Sequence, residues 1–307
     1  MIRLGLALPN LSQLGTRENL ATFAREVERL DFDSLWVTER LLYPLQPKQS
    51  IRGRPLEEKY KIALDPLDTL IYVAAVTEKI RLGTSLLDFP MYAPAPLAKR
   101  IATLDVLSGG RALIGAGLGW SEDEFTAHNV SFEKRGARMS EFIHALNVLW
   151  GPDPVEFHGQ YYEVPASYFN PKPLQKPRPP LLLGGFAPEA LQRAARLADG
   201  FNPIALPDAD QVEPLFKAAR QAWKDAGRGP AKPEIVVRVN HGYITDQPLS
   251  NGRPFLTGSV EQVKADLKKL AGWGATEVFF DLVGRFGHLP DGLQCMLEQA
   301  HLLRLTT

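Results

Sequence analysis

With a single cysteine, Cys295, among its 307 residues, the chain cannot close a disulfide within itself. Cys295 stands in a helical pattern, where a small apolar side chain suits an inward face. Long hydrophobic runs are missing too: nothing approaches the ~18 consecutive apolar residues of a membrane span. The opening stretch Met1 to Pro9 has no apolar run followed by a small-residue cleavage site, so it reads as a first strand and implies a cytoplasmic setting. In that setting the triplet Asn129-Val130-Ser131 matches a glycosylation acceptor only by accident. Neither sign of charge is in excess, with 35 Lys and Arg against 35 Asp and Glu and no long block of either. This excludes the basic footprint expected for nucleic acid or an anionic membrane, and leaves a small molecule as the expected partner. The six histidines show no metal-ligand spacing, and no nucleophile elbow or Ser-His-Asp order occurs, which argues against metalloenzyme and hydrolase chemistry.

What the chain does have is rhythm. A short apolar run, a turn and an amphipathic stretch recur, a pattern that forces parallel strands joined by helical crossovers. Strand-like runs begin near Arg3, Asp33, Ile80, Arg111, Pro180, Gly200, Glu234 and Thr276. Helical patterns follow at roughly 16–30, 67–77, 95–107, 137–150, 188–197, 209–226, 260–271 and 291–303. Ser259 with Gln262 forms a capping-box pattern, and Gly109 suits a left-handed helix end. Eight such units predict a (β/α)8 TIM barrel formed by residues 1–307 as one domain, since such barrels commonly reach ~250 residues or more. Two long connections interrupt the rhythm, residues 39 to 65 after the second strand and residues 151 to 179 after the fourth. Long loops in compact domains are usually functional, so the first is expected to lie as a lid across the barrel mouth and the second to pack at the surface or against a partner.

Reactive groups of such barrels sit just past the C-terminal ends of the strands. There the sequence places Pro9 and Asn10, Glu39 and Arg40, Asp88, Trp120 and Ser121, Asn240 and His241, and Asp281. This set is poor in nucleophiles, as expected where a bound organic cofactor performs the chemistry. Two glycine clusters, Gly115-Ala116-Gly117-Leu118-Gly119-Trp120 and Gly184-Gly185-Phe186-Ala187, allow close backbone approach, and the second opens a helix where N–H groups favour a phosphate. Trp120 stands where a dinucleotide fingerprint needs glycine, so the first cluster is no Rossmann motif. Both clusters are equally readable as tight turns.

From Asp65 to Phe186 the chain resembles the luciferase-like oxidoreductases, especially their deazaflavin (coenzyme F420) dependent branch. The likeness is carried by Ile80-Arg81-Leu82-Gly83-Thr84-Ser85, Leu104-Asp105-Val106-Leu107-Ser108-Gly109-Gly110-Arg111, Gly115 to Trp120, Arg135-Gly136-Ala137-Arg138 and Pro179 to Gly185. It implies a bacterial luciferase-like (β/α)8 barrel, commonly a homodimer, with a flavin or deazaflavin ring in the mouth. It further implies a non-prolyl cis peptide at Ser85-Leu86 under the ring, beside Thr84, and a phosphate-binding turn at Gly184-Gly185.

Many relatives in the deazaflavin branch carry Asp-His where this chain has Glu39-Arg40, so a histidine donor does not transfer. Arg40 is a poor general acid but suits an anionic ring or substrate. Glu39 becomes the candidate for proton transfer, with an ion pair to Arg40 as its alternative. Trp120 is expected to wall the substrate or cofactor, or to pack in the core, and His241 to polarise substrate or serve structurally. The expected activity is hydride transfer between F420 and a small organic substrate. Its rivals are an FMN-dependent monooxygenase and a non-catalytic flavin-binding or partner subunit.

Overall fold

A computed structural model describes residues 2–49 and 56–307. Eight parallel strands close into a barrel: β1 (Arg3–Ala7), β2 (Ser34–Val37), β3 (Arg81–Asp88), β4 (Ala112–Gly117), β5 (Leu181–Leu183), β6 (Gly200–Phe201), β7 (Glu234–Val239) and β8 (Glu277–Phe280). Closure is direct, since Leu6 of β1 stands in register with Leu35 of β2 on one side and Phe280 of β8 on the other. The crossover helices are α1 (Arg17–Arg29), α2 (Pro66–Ala74), α3 (Pro94–Leu107), α4 (Arg135–Leu149), α5 (Pro188–Leu197), α6 (Ala209–Asp225), α7 (Val260–Trp273) and α8 (Gly292–Arg304). The sequence dictates several of their starts: Thr16 accepts from the Asn19 N–H at 3.2 Å, Asp65 from that of Asp68 at 3.0 Å, and Ser259 and Gln262 complete the expected capping box. Gly109 follows α3 at a φ of 68°, the left-handed conformation that suits glycine.

Strands buried on both faces read as apolar runs, because outward residues meet helices and inward residues fill the barrel. Inside lie Ala7, Trp36, Leu113, Leu182, Val236 and Phe279, with Trp36 stacked on Phe279 at 4.7 Å between ring centres. Room for the indole comes from glycine on the next strand: a Cβ at Gly83 would stand 2.3 Å from the Trp36 ring. Below this layer, at the N-terminal end, the fully buried Glu277 accepts from the Ser34 hydroxyl and from Arg3 and Arg81, and both arginines also reach Glu234. That ring of paired charges closes the bottom of the barrel.

The first long connection starts beside the short helix Glu122–Ala127, where Leu41 and Leu42 N–H groups reach Glu124 at 2.9 and 3.4 Å and the Lys48 N–H reaches Asp123 at 3.0 Å. It returns past the opposite rim, with the Ser12 N–H bonded to the Ile62 carbonyl at 2.8 Å and that of Leu64 to Asn10 at 3.0 Å. Its described parts thus lie on both sides of the C-terminal mouth. The second connection contains an antiparallel hairpin, Val155–His158 with Glu163–Ser167, which the sequence reading did not foresee. It is held to the chain's own α4, where Glu141 accepts from the N–H groups of Gln160, Tyr161 and Tyr162 at 3.0, 2.7 and 2.8 Å. No helix among the described residues is long and apolar enough to cross a membrane.

Because Trp36 fills the space beside Gly83, Gly83→Ala should overpack the barrel and cost about 1–3 kcal/mol of stability, measured by urea unfolding. An unchanged midpoint would mean that the indole has room to shift.

Candidate active site

The ends of β2, β3 and β4 bring together a buried acidic cluster. Glu39, past the end of β2, turns one carboxylate oxygen to the Asp88 N–H at 2.6 Å and the other to the Tyr92 hydroxyl. Asp88 ends β3, and its carboxylate lies over the glycines at and just past the end of β4: a Cβ on Gly117 would be 2.9 Å from one oxygen, and a Cβ on Gly119 3.3 Å from the other. Glu124, 1% exposed, takes the N–H groups of the mouth connection and faces Arg40 Nη2 at 3.3 Å.

Burial raises both members of the inner pair. Glu39 is pushed up to about 8, first by loss of water and then by the neighbouring Asp88 charge, against the opposing bonds from Tyr92 and the Asp88 N–H. Asp88 is pushed up to about 7 by burial and Glu124, against Arg40, the Gly119 N–H and Arg135. At neutral pH the pair therefore retains a proton, and the proton belongs to the two groups together. Tyr92 is driven far above the usual phenol range by burial and by Glu39, so its hydroxyl stays a donor.

Arg40 takes no part in an ion pair with Glu39; its carboxylate partner is Glu124. Its guanidinium carbon stands 4.7 Å from the centre of the Trp120 ring and 5.5 Å from that of Tyr60, and its Nε and Nη1 have no hydrogen-bond partner among the described residues. An unmet buried donor costs roughly 1–3 kcal/mol, so the arrangement is one that calls for an acceptor.

Other expected positions have their own surroundings. The peptide Ser85-Leu86 is cis, as the resemblance implied, and its carbonyl accepts from Arg238 Nη1 at 2.5 Å. Ser85 Oγ lies 2.7 Å from Asn202 Oδ1, and Arg238 also holds the buried Asp281 at 2.5 Å. Arg238 and the nearby Lys59 keep the Asp281 carboxyl below the usual range despite its burial. Thr84 is consumed by Gly115, bonding both its carbonyl at 2.9 Å and its N–H at 3.1 Å. Asn10 ties β1 to β2 through the Thr38 carbonyl at 2.8 Å and the Thr38 N–H at 3.3 Å. His241 stands on the β7 side with Nε2 2.8 Å from the Phe255 carbonyl, and burial lowers its pKa. Gly115, Gly117 and Gly184 all border Leu86, but a Cβ would first meet the Thr84 carbonyl at 2.2 Å on Gly115, the Asp88 carboxylate at 2.9 Å on Gly117 and the Leu86 side chain at 2.3 Å on Gly184. Gly185 is exposed at a φ of 122°, and Phe186 beside it is half-buried before α5.

Sequence reading brought out Glu39, Arg40 and Asp88 but not Tyr92, Glu124, Asn202, Lys59 or Arg238 as their companions. Arg238 had a signal, a charge inside the apolar run Ile235-Val236-Val237-Arg238-Val239. Among the described residues no group of His, Cys, Asp or Glu is arranged to hold a metal ion.

A closed (β/α)8 barrel with a buried acidic cluster at its C-terminal mouth defines the general class. The chain belongs to the luciferase-like monooxygenase family, whose pattern residues 4–246 match. It is 31% identical over 241 residues to the F420-dependent glucose-6-phosphate dehydrogenase of Kineococcus radiotolerans, spanning 76% of this chain and 67% of that protein. It is 36% identical over 130 residues to the FMNH2-dependent dimethylsulfone monooxygenase of Pseudomonas putida, a stretch covering 41% of this chain and 36% of the relative. The crystal structure of the monooxygenase RslO1 of Streptomyces bottropensis shares the fold, with a TM-score of 0.79, 20% identity, and coverage of 99% of this chain and 98% of that one.

The raised carboxyl makes stability depend on pH. Unfolded, Glu39 ionises near 4.5, so between there and about 8 the folded chain holds a proton that the unfolded chain has lost. Stability contributed in this way is full below the lower value and disappears as pH rises through the window. Urea unfolding from pH 5 to 8 should therefore show a smaller loss of stability for Glu39→Gln than for the native chain. Parallel slopes would show that Glu39 is already ionised in the fold.

Proposed function

We propose that the chain is a deazaflavin-dependent oxidoreductase that uses F420 to move a hydride to or from a small organic substrate, with Glu39 supplying or accepting the accompanying proton. The observation that carries this reading is the buried Glu39–Asp88 pair at the mouth, which retains a proton at neutral pH where an ordinary carboxylate would have none. In the Kineococcus relative F420 is the named cofactor.

The residues present fit such a group. The exposed Gly185 and the half-buried Gly184 leave the turn before α5 without side chains, which suits approach of an anionic phosphate, with Phe186 alongside. At the mouth, buried donors on Arg40 lack acceptors among the described residues, as a ring edged by carbonyl oxygens requires. Ser85 and Leu86 would form the floor under the ring, Arg238 holding the Ser85 carbonyl in place. When bound, a deazaflavin supplies or takes up a hydride, whereas a reduced flavin activates dioxygen. The chain itself orients the reactants, excludes water beneath the connection latched to Glu124, and holds a proton on a Glu39 oxygen.

Proton transfer from Glu39 leaves a carboxylate that the Tyr92 hydroxyl and the Asp88 N–H stabilise, so the same bonds that oppose protonation prepare the group to give the proton up. Gly117 and Gly119 serve this arrangement by leaving room beside the Asp88 carboxyl, Gly115 by admitting the Thr84 carbonyl, and Trp120 by covering Arg40. A second reading, reduced FMN in a monooxygenase, is favoured by the Pseudomonas relative.

Titration of the purified chain with F420 and with FMN, followed by absorbance, should give tighter binding of F420; tight binding of FMN alone would select the second reading, and binding of neither would remove both. With the preferred cofactor, Glu39→Gln should slow the chemical step by about 10²-fold or more while cofactor affinity changes little. Unaltered turnover and pH profile would leave Glu39 as a structural residue.

A further inference from the structure

Of the buried side-chain nitrogen and oxygen atoms lacking a hydrogen-bond partner among the described residues, only three occur, and two are Nε and Nη1 of Arg40. The residue is 8% exposed, so bulk water does not serve these donors in place of protein. Buried donors in native proteins are nearly always met, and an unmet pair on one guanidinium points to a ligand. Trp120 and Tyr60 lie against the guanidinium at 4.7 and 5.5 Å, so an acceptor reaches its N–H groups best from the edge. Planar, edge-on presentation of N–H groups is the geometry that matches carboxylate and related oxyanions.

The groups facing this position are Glu39, Tyr92 and Asp88, the Glu124 carboxylate on Arg40 Nη2, and Arg135, whose Nη1 is committed to the Gly119 carbonyl at 2.6 Å. Among the described residues none of them supplies an acceptor to Arg40 Nε or Nη1.

We propose that Arg40 is an oxyanion anchor at the barrel mouth, taking the carboxylate of an acidic substrate or the electron-rich oxygen edge of the bound cofactor ring. Only the second source rests on the function proposed above.

The test is Arg40→Lys, which keeps a cation opposite Glu124 but withdraws the Nε and Nη1 donors. Native and variant chains are titrated calorimetrically with succinate, inorganic phosphate, F420 and FMN, and their melting is compared. A tenfold or greater loss of succinate or phosphate affinity with cofactor binding intact assigns the anchor to the substrate. The same loss for the cofactor, with no binding of the small anions, assigns it to the ring. Affinities within threefold for every probe in a folded variant overturn the proposal. Should the variant fail to fold, Trp120 emission decides: ligand at Arg40 must alter fluorescence in the native chain and not in Trp120→Phe, and absence of any Trp120-dependent change overturns the anchor. If neither cofactor binds the native chain, the function proposed above falls and the succinate and phosphate titrations alone decide this proposal.

Discussion

Trp36 takes up space inside the barrel that other strands would otherwise claim. Its indole donates to Ser34 Oγ at 2.7 Å, stacks on Phe279, and stands so close to Gly83 that any side chain there would collide with it. A bulky ring in a closed cylinder of short strands leaves few ways to arrange its neighbours. Val37, the next residue, pairs with Thr84 of β3, and from that register Glu39 arrives at the N–H of Asp88. The meeting of two carboxyl groups that gives the mouth its chemistry is thus set from below, by packing in the barrel.

The same exchange of volume operates at the upper rim. Gly184 yields its space to Leu86, Gly115 to the Thr84 carbonyl, Gly117 to the Asp88 carboxyl and Gly119 to the Phe125 ring, with Asp88 beside it. Glycines that suggest a phosphate cradle when read in sequence have, at these positions, a reason inside the protein: they allow a charged group and an apolar one to be buried side by side. Gly185 is different. It is exposed and left-handed, and nothing from the Leu86 side presses on it.

The barrel was legible because parallel strands covered on both faces must be apolar and their crossovers amphipathic, a constraint that repeats locally along the chain. The residues past each strand end were legible for the same reason, which is how Glu39, Arg40 and Asp88 stood out. Their partners were not. Ser85 meets Asn202 across 117 residues of chain and Arg238 across 153, and such meetings depend on barrel closure rather than on any short pattern. The alternative pairing of Glu39 with Arg40 failed because adjacent residues leaving a strand point apart, and each found a partner on another loop. The hairpin Val155–His158 with Glu163–Ser167 escaped notice because its strands are short and proline-rich surroundings mask their alternation.

Glu124 is shared. One of its oxygens grips the backbone at Leu41 and Leu42, and the other faces the guanidinium of the preceding residue, Arg40. A carboxylate divided between a cation and the first turn of a covering segment works as a balance arm: whatever draws the cation aside changes how firmly the segment is held. A ligand that moved the Arg40 guanidinium would thereby disturb one of the two holds that Glu124 has on this stretch of chain.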